Sequence, residues 1–297
     1  MLVESLIGSQ GRKRGTMGFF GTSPAAADDS DDESPPEDLA RSLHEAAGGA
    51  GADTSGGDDS AAAPAFSAAG EGYWSLSRTP LTSLVFALPL VLAYEGGVLF
   101  LGRGTPRNGA DVWLRQSLDA LGFGSYFLLP VLTVVGLLAW HHVEHDRWRF
   151  SPVVLLGMAV ESVAWAAALI GLARLQDRFW PLAAGVGEEG VFVRLVAFCG
   201  AGLYEEVLFR LLLLPALAWA FERIGFSGVA AACWGLVGSS LLFSLAHYVG
   251  PLGDAFGLYS FTFRFLAGLF FALLFTTRGF GIAAGTHAIY DILVGLL

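Results

Sequence analysis

Two adjacent glutamates and an arginine lie inside an otherwise apolar run of the sequence. Residues 203–210 read Leu-Tyr-Glu-Glu-Val-Leu-Phe-Arg, and the residues on both sides are almost wholly apolar. A charged side chain at the centre of a bilayer costs at least roughly 2.5–3.5 kcal/mol, so such residues are rare and face a protein interior, where they pair or act. The run therefore indicates either a buried structural ion pair with a solvated carboxylate beside it, or a site of chemistry.

Helical spacing gives the two glutamates different surroundings. Glu206 and Arg210 are four residues apart, so they share a helix face and are expected to form a structural ion pair. Glu205 lies about 100° further round the helix and has no basic residue three or four positions away. Glu205 is therefore predicted to stay unpaired, as a candidate general base.

Three further polar residues follow in apolar segments. His247 ends the run Phe243-Ser-Leu-Ala-His, and His287 and Asp291 share a helix face four residues apart. A lone histidine in a helix is more often a structural core residue than a catalyst. However, helices of a membrane bundle turn their ionisable residues to a common interior. Together with Glu205 these residues could form a hydrolytic site with a base, a water-positioning group and oxyanion donors.

The order and spacing of these motifs resemble the CPBP family of CAAX proteases and bacteriocin-processing proteins, also called Abi. That family includes the type II CAAX prenyl endopeptidases. The resemblance covers about residues 190–297 and includes a Phe-Leu-Ala-Gly run at residues 265–268. It rests on three motifs: Glu205-Glu206-x-x-x-Arg210, Phe243-x-x-x-His247 and His287-x-x-x-Asp291. Neither a His-Glu-x-x-His zinc helix nor a Gly-x-Ser-x-Gly elbow is present in the sequence.

The resemblance implies a polytopic intramembrane endopeptidase that acts on a membrane-associated or prenylated peptide. It assigns water activation to Glu205 with His247, and the oxyanion or the rest of the water site to His287 and Asp291. Glu206 and Arg210 would hold the helix. Both a glutamate mechanism and a metal mechanism are compatible with these side chains, and Zn²⁺ would take its ligands from Glu205, His247, His287 and Asp291.

Two positions depart from the family pattern. Leu211 follows Arg210 where a glycine is usual, and Asp291 stands where asparagine is commoner. An ionised Asp291 would not donate a hydrogen bond to an oxyanion. A role as a ligand, or in orienting His287, is therefore favoured for Asp291.

The composition indicates an all-α, polytopic membrane protein. Of the 297 residues 54% are hydrophobic, and the mean hydropathy is +0.57. We expect seven spans in a helix bundle, or eight if the long fourth segment is split. That segment would be about 46 Å long as a helix, so it is tilted, projects from the membrane or breaks near Pro215. The spans are about residues 80–101, 123–142, 152–172, 191–221, 229–249, 256–277 and 280–297.

Three regions are predicted along the chain. Residues 1–70 form an acidic, disordered tail with 12 acidic and four basic residues, and the rest of the chain is near neutral, so nothing favours nucleic-acid binding. Residues 71–189 form the first membrane helices, and residues 190–297 the catalytic membrane domain. We find no early signal peptide, so the first span is expected to direct insertion, with the bacterial cytoplasmic (inner) membrane as the destination. Met17 is an alternative start, and the oligomeric state is not predicted.

Polar residues in the first half of the chain have an expected structural role. Glu95 and Glu161 lie within predicted spans and should face inward. Residues 108–121 are too short and too charged to cross a membrane, and Leu114, Leu118 and Leu121 fall on one helical face. They predict a helix lying in the membrane interface, with Arg115 and Asp119 off its apolar face.

Two alternatives to catalysis remain at this stage. The same fold could serve as a non-catalytic membrane scaffold or chaperone, in which Glu205 would be dispensable. The intramembrane carboxylates could also serve an ion- or proton-coupled transporter, although no repeat relates the two halves of the sequence.

Overall fold

The protein is all-helical over the part that the computed structural model describes, which comprises residues 72–102, 107–124, 127–179, 190–250 and 253–296. No strand occurs in those ranges, so the predicted fold class is confirmed there. The predicted disordered tail, residues 1–70, lies outside the described residues. The helices in chain order are α1 (Pro80–Leu101), α2 (Gly109–Ala120), α3 (Leu128–Val143), α4 (Pro152–Phe179), α5 (Val191–Gly200), two π-helical stretches (Ala201–Glu205 and Val207–Leu213), α6 (Leu214–Arg223), α7 (Gly228–Ala246), α8 (Leu258–Arg278) and α9 (Phe280–Leu296).

Four of the described helices, α1, α4, α7 and α8, are long and apolar enough to cross a membrane. The apolar helices α3 and α9 are shorter, with 16 and 17 residues. Large apolar side chains cover the outer surface, among them Phe100, Val153 and Leu156 with exposed fractions of 82%, 78% and 67%. Such a surface is stable against lipid and not against water, so the chain is an integral membrane protein. The count of seven or eight spans stays a prediction.

The long segment near the glutamates is helical from Val191 to Arg223 without a break. The break considered near Pro215 is therefore wrong, because Pro215 lies in the first turn of α6. In a regular helix the proline ring would clash with the carbonyl group four residues earlier. The wider π-helical turns over Val207–Leu213, immediately before this proline, change the position of that carbonyl group.

Helix α9 lies at the centre of the bundle. It contacts α1, α4, α5, α8 and the first π-helical stretch. Every residue from Phe280 to Ala288 is buried, so the first half of this helix is covered by protein on all sides. A Cβ atom at Gly202 would lie 2.6 Å from the Ala288 nitrogen, so the glycine lets α9 approach the π-helical stretch closely. This approach brings His287 next to the two glutamates.

Candidate active site

Glu206 forms the buried side of the site. The structure places its Oε1 atom 3.0 Å from Arg210 Nη1 and 2.7 Å from His287 Nδ1. Glu206 and Arg210 are both fully buried, and Arg210 Nη2 also donates to the Gly268 carbonyl oxygen at 3.1 Å. The guanidinium group lies 4.3 Å from the centre of the Phe243 ring. The Glu206 carboxylate therefore contacts both the buried Arg210 and the ring of His287.

Glu205 lies near the other ring nitrogen of His287 and near His247. Its Oε2 atom lies 3.9 Å from His247 Nε2 and 3.8 Å from His287 Nε2. This oxygen is buried and has no hydrogen-bond partner among the described residues. The other carboxylate oxygen, Oε1, accepts a hydrogen bond of 2.8 Å from Asn108 Nδ2. Glu205 thus presents one bound oxygen and one unbound oxygen, and the unbound one faces both histidines.

His247 is the residue that follows α7 directly. Its Nδ1 atom lies 2.8 Å from the Phe243 carbonyl oxygen, which can only accept, so Nδ1 carries the proton. The Nε2 atom is left for Glu205 and for the space in front of it. With 27% of its side chain exposed, against 6% for His287, His247 is the more accessible of the two histidines.

His287 and Asp291 lie on the buried helix α9. Glu206 binds His287 Nδ1, and the Phe271 ring stacks on the imidazole with a centroid distance of 4.4 Å. Asp291 Oδ2 lies 3.6 Å from His287 Nε2, which is too long for a hydrogen bond. Glu206 is thus the carboxylate that is hydrogen-bonded to the His287 ring, and Asp291 lies beside the other ring nitrogen.

A cavity of about 530 Å³ reaches Glu205 and His247 from one side of the bundle. Its wall combines the beginning of α2, the π-helical stretches and the loop after α7. Polar residues line it at Asn108, Gln116 and Asp254, and Trp113 adds a large ring. Glu205 and His247 both line this cavity, so the site is open to it.

Asn108 is the site residue that the sequence analysis missed. It caps α2, and it reaches Glu205 across 97 positions of the chain. The pair Asn108-Gly109 at the start of a helix is a recognisable cap signal. Nothing in the sequence connects that cap to Glu205, because only the packing of α2 on the π-helical stretch brings the two together.

Helix α2 is bound into the bundle more firmly than the interfacial interpretation predicts. Leu114 and Leu118 pack against the core as expected, but Asp111 is fully buried. Arg115 turns inward, with Nε 2.6 Å from Asp111 Oδ1 and Nη2 2.8 Å from Glu95 Oε1. Arg115 therefore forms ion pairs within the bundle. Glu95 is buried, and a buried carboxylate is costly without a partner. The side chain of Arg115 turns inward and supplies the opposite charge.

Glu95 faces inward as expected and links α2 to the site helix. Its Oε1 atom also accepts a hydrogen bond of 2.6 Å from the hydroxyl group of Tyr204, the residue before Glu205. Tyr204 is fully buried. Glu95 therefore connects the first span to the π-helical stretch, which is a structural role.

The four candidate metal ligands suit zinc by chemical type but not by grouping. Two imidazole nitrogens and two carboxylates are a donor set that Zn²⁺ accepts, and tetrahedral bonds of 2.0–2.1 Å place donors roughly 3.3–3.4 Å apart. The measured separations are 3.6–3.9 Å. Within the part of the chain that the structure describes, no three His, Cys, Asp or Glu residues form a group that could hold a metal ion. As they are arranged, the four candidate residues therefore do not form a metal site.

Comparison with known proteins gives a family match over the helices that carry this site. No curated protein and no solved structure matches the chain. A family model does: residues 187–293 match the one described as "Type II CAAX prenyl endopeptidase Rce1-like". That range contains Glu205, Glu206, Arg210, His247, His287 and Asp291. The resemblance to the CPBP family is confirmed over this range, in which the chain is similar to the type II CAAX prenyl endopeptidases of the Rce1-like model.

Proposed function

We propose that the protein is an intramembrane endopeptidase that hydrolyses a peptide bond of a membrane-associated or prenylated peptide. The observation that carries the proposal is the position of Glu205, which lines a cavity and whose Oε2 atom lies 3.9 Å from one histidine Nε2 and 3.8 Å from another. The family match supports the reaction class. Residence in a bacterial cytoplasmic membrane is part of the same proposal.

In the first step, Glu205 acts as the general base. A water molecule between the carboxylate and the cavity gives a proton to Oε2, and its oxygen attacks the scissile carbonyl carbon. His247 Nε2 accepts a hydrogen bond from the same water and orients it, because its other nitrogen is bound to the Phe243 carbonyl group. The product of this step is a tetrahedral intermediate with a negatively charged oxygen.

His287 stabilises that oxygen. The carboxylates of Glu205, Glu206 and Asp291 surround its ring, and Arg210 is the nearby guanidinium that faces Glu206. An imidazolium at this position offsets the excess negative charge and donates from Nε2 to the oxyanion. Glu205 then passes its proton to the leaving nitrogen as the C–N bond breaks. The products are a carboxylic acid and an amine, and the glutamate is regenerated.

The test is cleavage of an internally quenched, prenylated peptide by the purified full chain in detergent. Glu205→Gln and His247→Ala are each expected to lower kcat by at least about 100-fold, because each removes a group that acts on the water. His142→Ala, at an exposed histidine on α3, is the matched control and should retain activity. Full activity in Glu205→Gln would overturn the mechanism and favour a scaffold.

A further inference from the structure

Asn108 binds two partners with one side chain. Its Oδ1 atom accepts a hydrogen bond of 2.9 Å from the Ala110 N–H group, which is the cap of α2, and its Nδ2 atom donates to Glu205 Oε1 at 2.8 Å. A rotated amide would set oxygen against the carboxylate and NH₂ against the backbone N–H group. The two partners therefore fix the orientation of the amide.

The backbone of Asn108 is also held in place. Its N–H group donates to the Tyr94 hydroxyl group at 3.2 Å, and that hydroxyl group donates to Asp111 Oδ2 at 2.9 Å. Tyr94 and Asp111 are fully buried, and Asp111 is paired with Arg107 and Arg115. The amide is thus presented by a rigid network that begins in the first span, although it lies at the end of a loop.

This contact decides which oxygen of Glu205 is available. A glutamate has three rotatable bonds, and fixing them costs conformational entropy. With Oε1 bound to Asn108, rotation of the carboxylate is restricted, and Oε2 is the oxygen that faces His247 and His287. A reacting group held in place before the substrate arrives lowers the barrier, and a misplacement of about 1 Å can cost about 100-fold in rate.

We propose that Asn108 is a positioning residue for Glu205, whose side-chain amide holds Oε1 so that Oε2 is presented to the attacking water. The inference rests on the proposed endopeptidase function. Asn108 lies outside the range 187–293 that matches the family model, so the site is completed by a residue from the first half of the chain.

The experiment separates the cap from the amide donor. Asn108→Asp and Asn108→Ser keep an oxygen that caps α2 but lose the NH₂ group, whereas Asn108→Ala loses both functions. We expect kcat for the prenylated peptide to fall about 100-fold in all three variants of the full chain, with KM within about threefold of wild type. Asn108→Ser should keep the wild-type unfolding temperature in detergent, whereas Asn108→Ala, which loses the cap, and Asn108→Asp, which sets a second carboxylate against Glu205, should both lower it.

Ser227→Ala is the matched control, since it removes the side-chain cap of α7 away from Glu205. It should lower the unfolding temperature slightly and leave kcat unchanged. The inference is overturned if Asn108→Asp and Asn108→Ser keep kcat within threefold of wild type, if kcat follows the unfolding temperature across the variants, or if only KM changes. If wild type shows no cleavage that depends on Glu205, the proposed function fails and this inference fails with it.

Discussion

Two neighbouring glutamates differ because of what each side chain contacts. Glu206 is fully buried between Arg210 and His287, and Glu205 is held by an amide and faces a cavity. The local pattern indicates the first contact, since a glutamate and an arginine four residues apart share a helix face. The bond from Glu206 to His287 crosses 81 positions and has no local signal. Adjacent carboxylates can therefore serve structure and chemistry separately.

Glu206→Gln is expected to destabilise the fold. The variant keeps the shape but leaves the buried Arg210 without a counter-charge, and losing one partner of a buried ion pair costs about 3–5 kcal/mol. Thermal unfolding in detergent measures the effect. Glu222→Gln, at the half-buried end of α6, is the control and should unfold like wild type. An unchanged unfolding temperature in Glu206→Gln would show that the pair does not stabilise the bundle.

Removal of metal is expected to leave cleavage intact. The donor atoms around Glu205 are 3.6–3.9 Å apart, and the proposed steps use only side chains and water. Peptide cleavage before and after treatment with 1,10-phenanthroline, together with the zinc content of the purified chain, measures this. One zinc per chain, with activity lost on chelation and restored by Zn²⁺, would contradict the metal-free mechanism.

At the scale of elements, the site depends on how closely α9 approaches the π-helical stretches. A Cβ atom at Gly202 would lie 2.6 Å from the Ala288 nitrogen and 2.8 Å from its Cα atom, closer than real contacts allow. Ala288 follows His287 directly. The distance between Glu205 and His287 therefore depends on the absence of a side chain at Gly202, three residues before Glu205.

Gly202→Ala should move α9 away from the glutamates. Overpacking of this kind costs about 1–3 kcal/mol, and the displacement of His287 should lower kcat at least about tenfold. Gly136→Ala is the control, since a Cβ atom there meets nothing within 4 Å and alanine is the better helix former. Both unfolding temperature and kcat are measured. A wild-type unfolding temperature and a wild-type kcat in Gly202→Ala would contradict this prediction.

Sequence patterns predict the helices and their ionisable residues better than the contacts between helices. Apolar runs identify α1 almost to its bounds and predict that the site residues meet in one interior. The π-helical turns escape prediction, because tertiary packing and the nearby Pro215 decide the backbone there. The inward turn of Arg115 escapes it too, since it depends on the buried Glu95 twenty residues earlier.

At the scale of the molecule, a second polar network joins the segment just before α1 to α4 and α8. Arg278 donates to both carboxylate oxygens of Glu161, at 2.6 and 2.7 Å, and lies 3.8 Å from the centre of the Trp74 ring. Ser77 and Tyr73 complete it, each through a hydroxyl group. Glu161 is therefore inward and structural, and its charge is matched by a residue 117 positions later.

The stability that Tyr73 contributes should depend on pH. Burial, with the hydrogen bond to Glu161, raises the pKa of Tyr73 to about 12, from about 10 in an unfolded chain. The neutral phenol is the favoured form, so its contribution is complete below about pH 10 and is lost as the pH rises through about 12. The difference in unfolding temperature between wild type and Tyr73→Phe should shrink over that interval. A difference that stays constant from pH 8 to 12 would contradict this.

Two hydrogen bonds, from Asn108 to Glu205 and from Tyr204 to Glu95, determine whether the matched segment can work apart from the rest of the chain. Both cross from the family-matching segment to helices that precede it. Residues 187–293 are thus not an independent unit. Joined to a different set of preceding helices, they would carry every motif but would lack the Asn108 amide and the Glu95 carboxylate. A host chain for such a graft would have to supply equivalents of both.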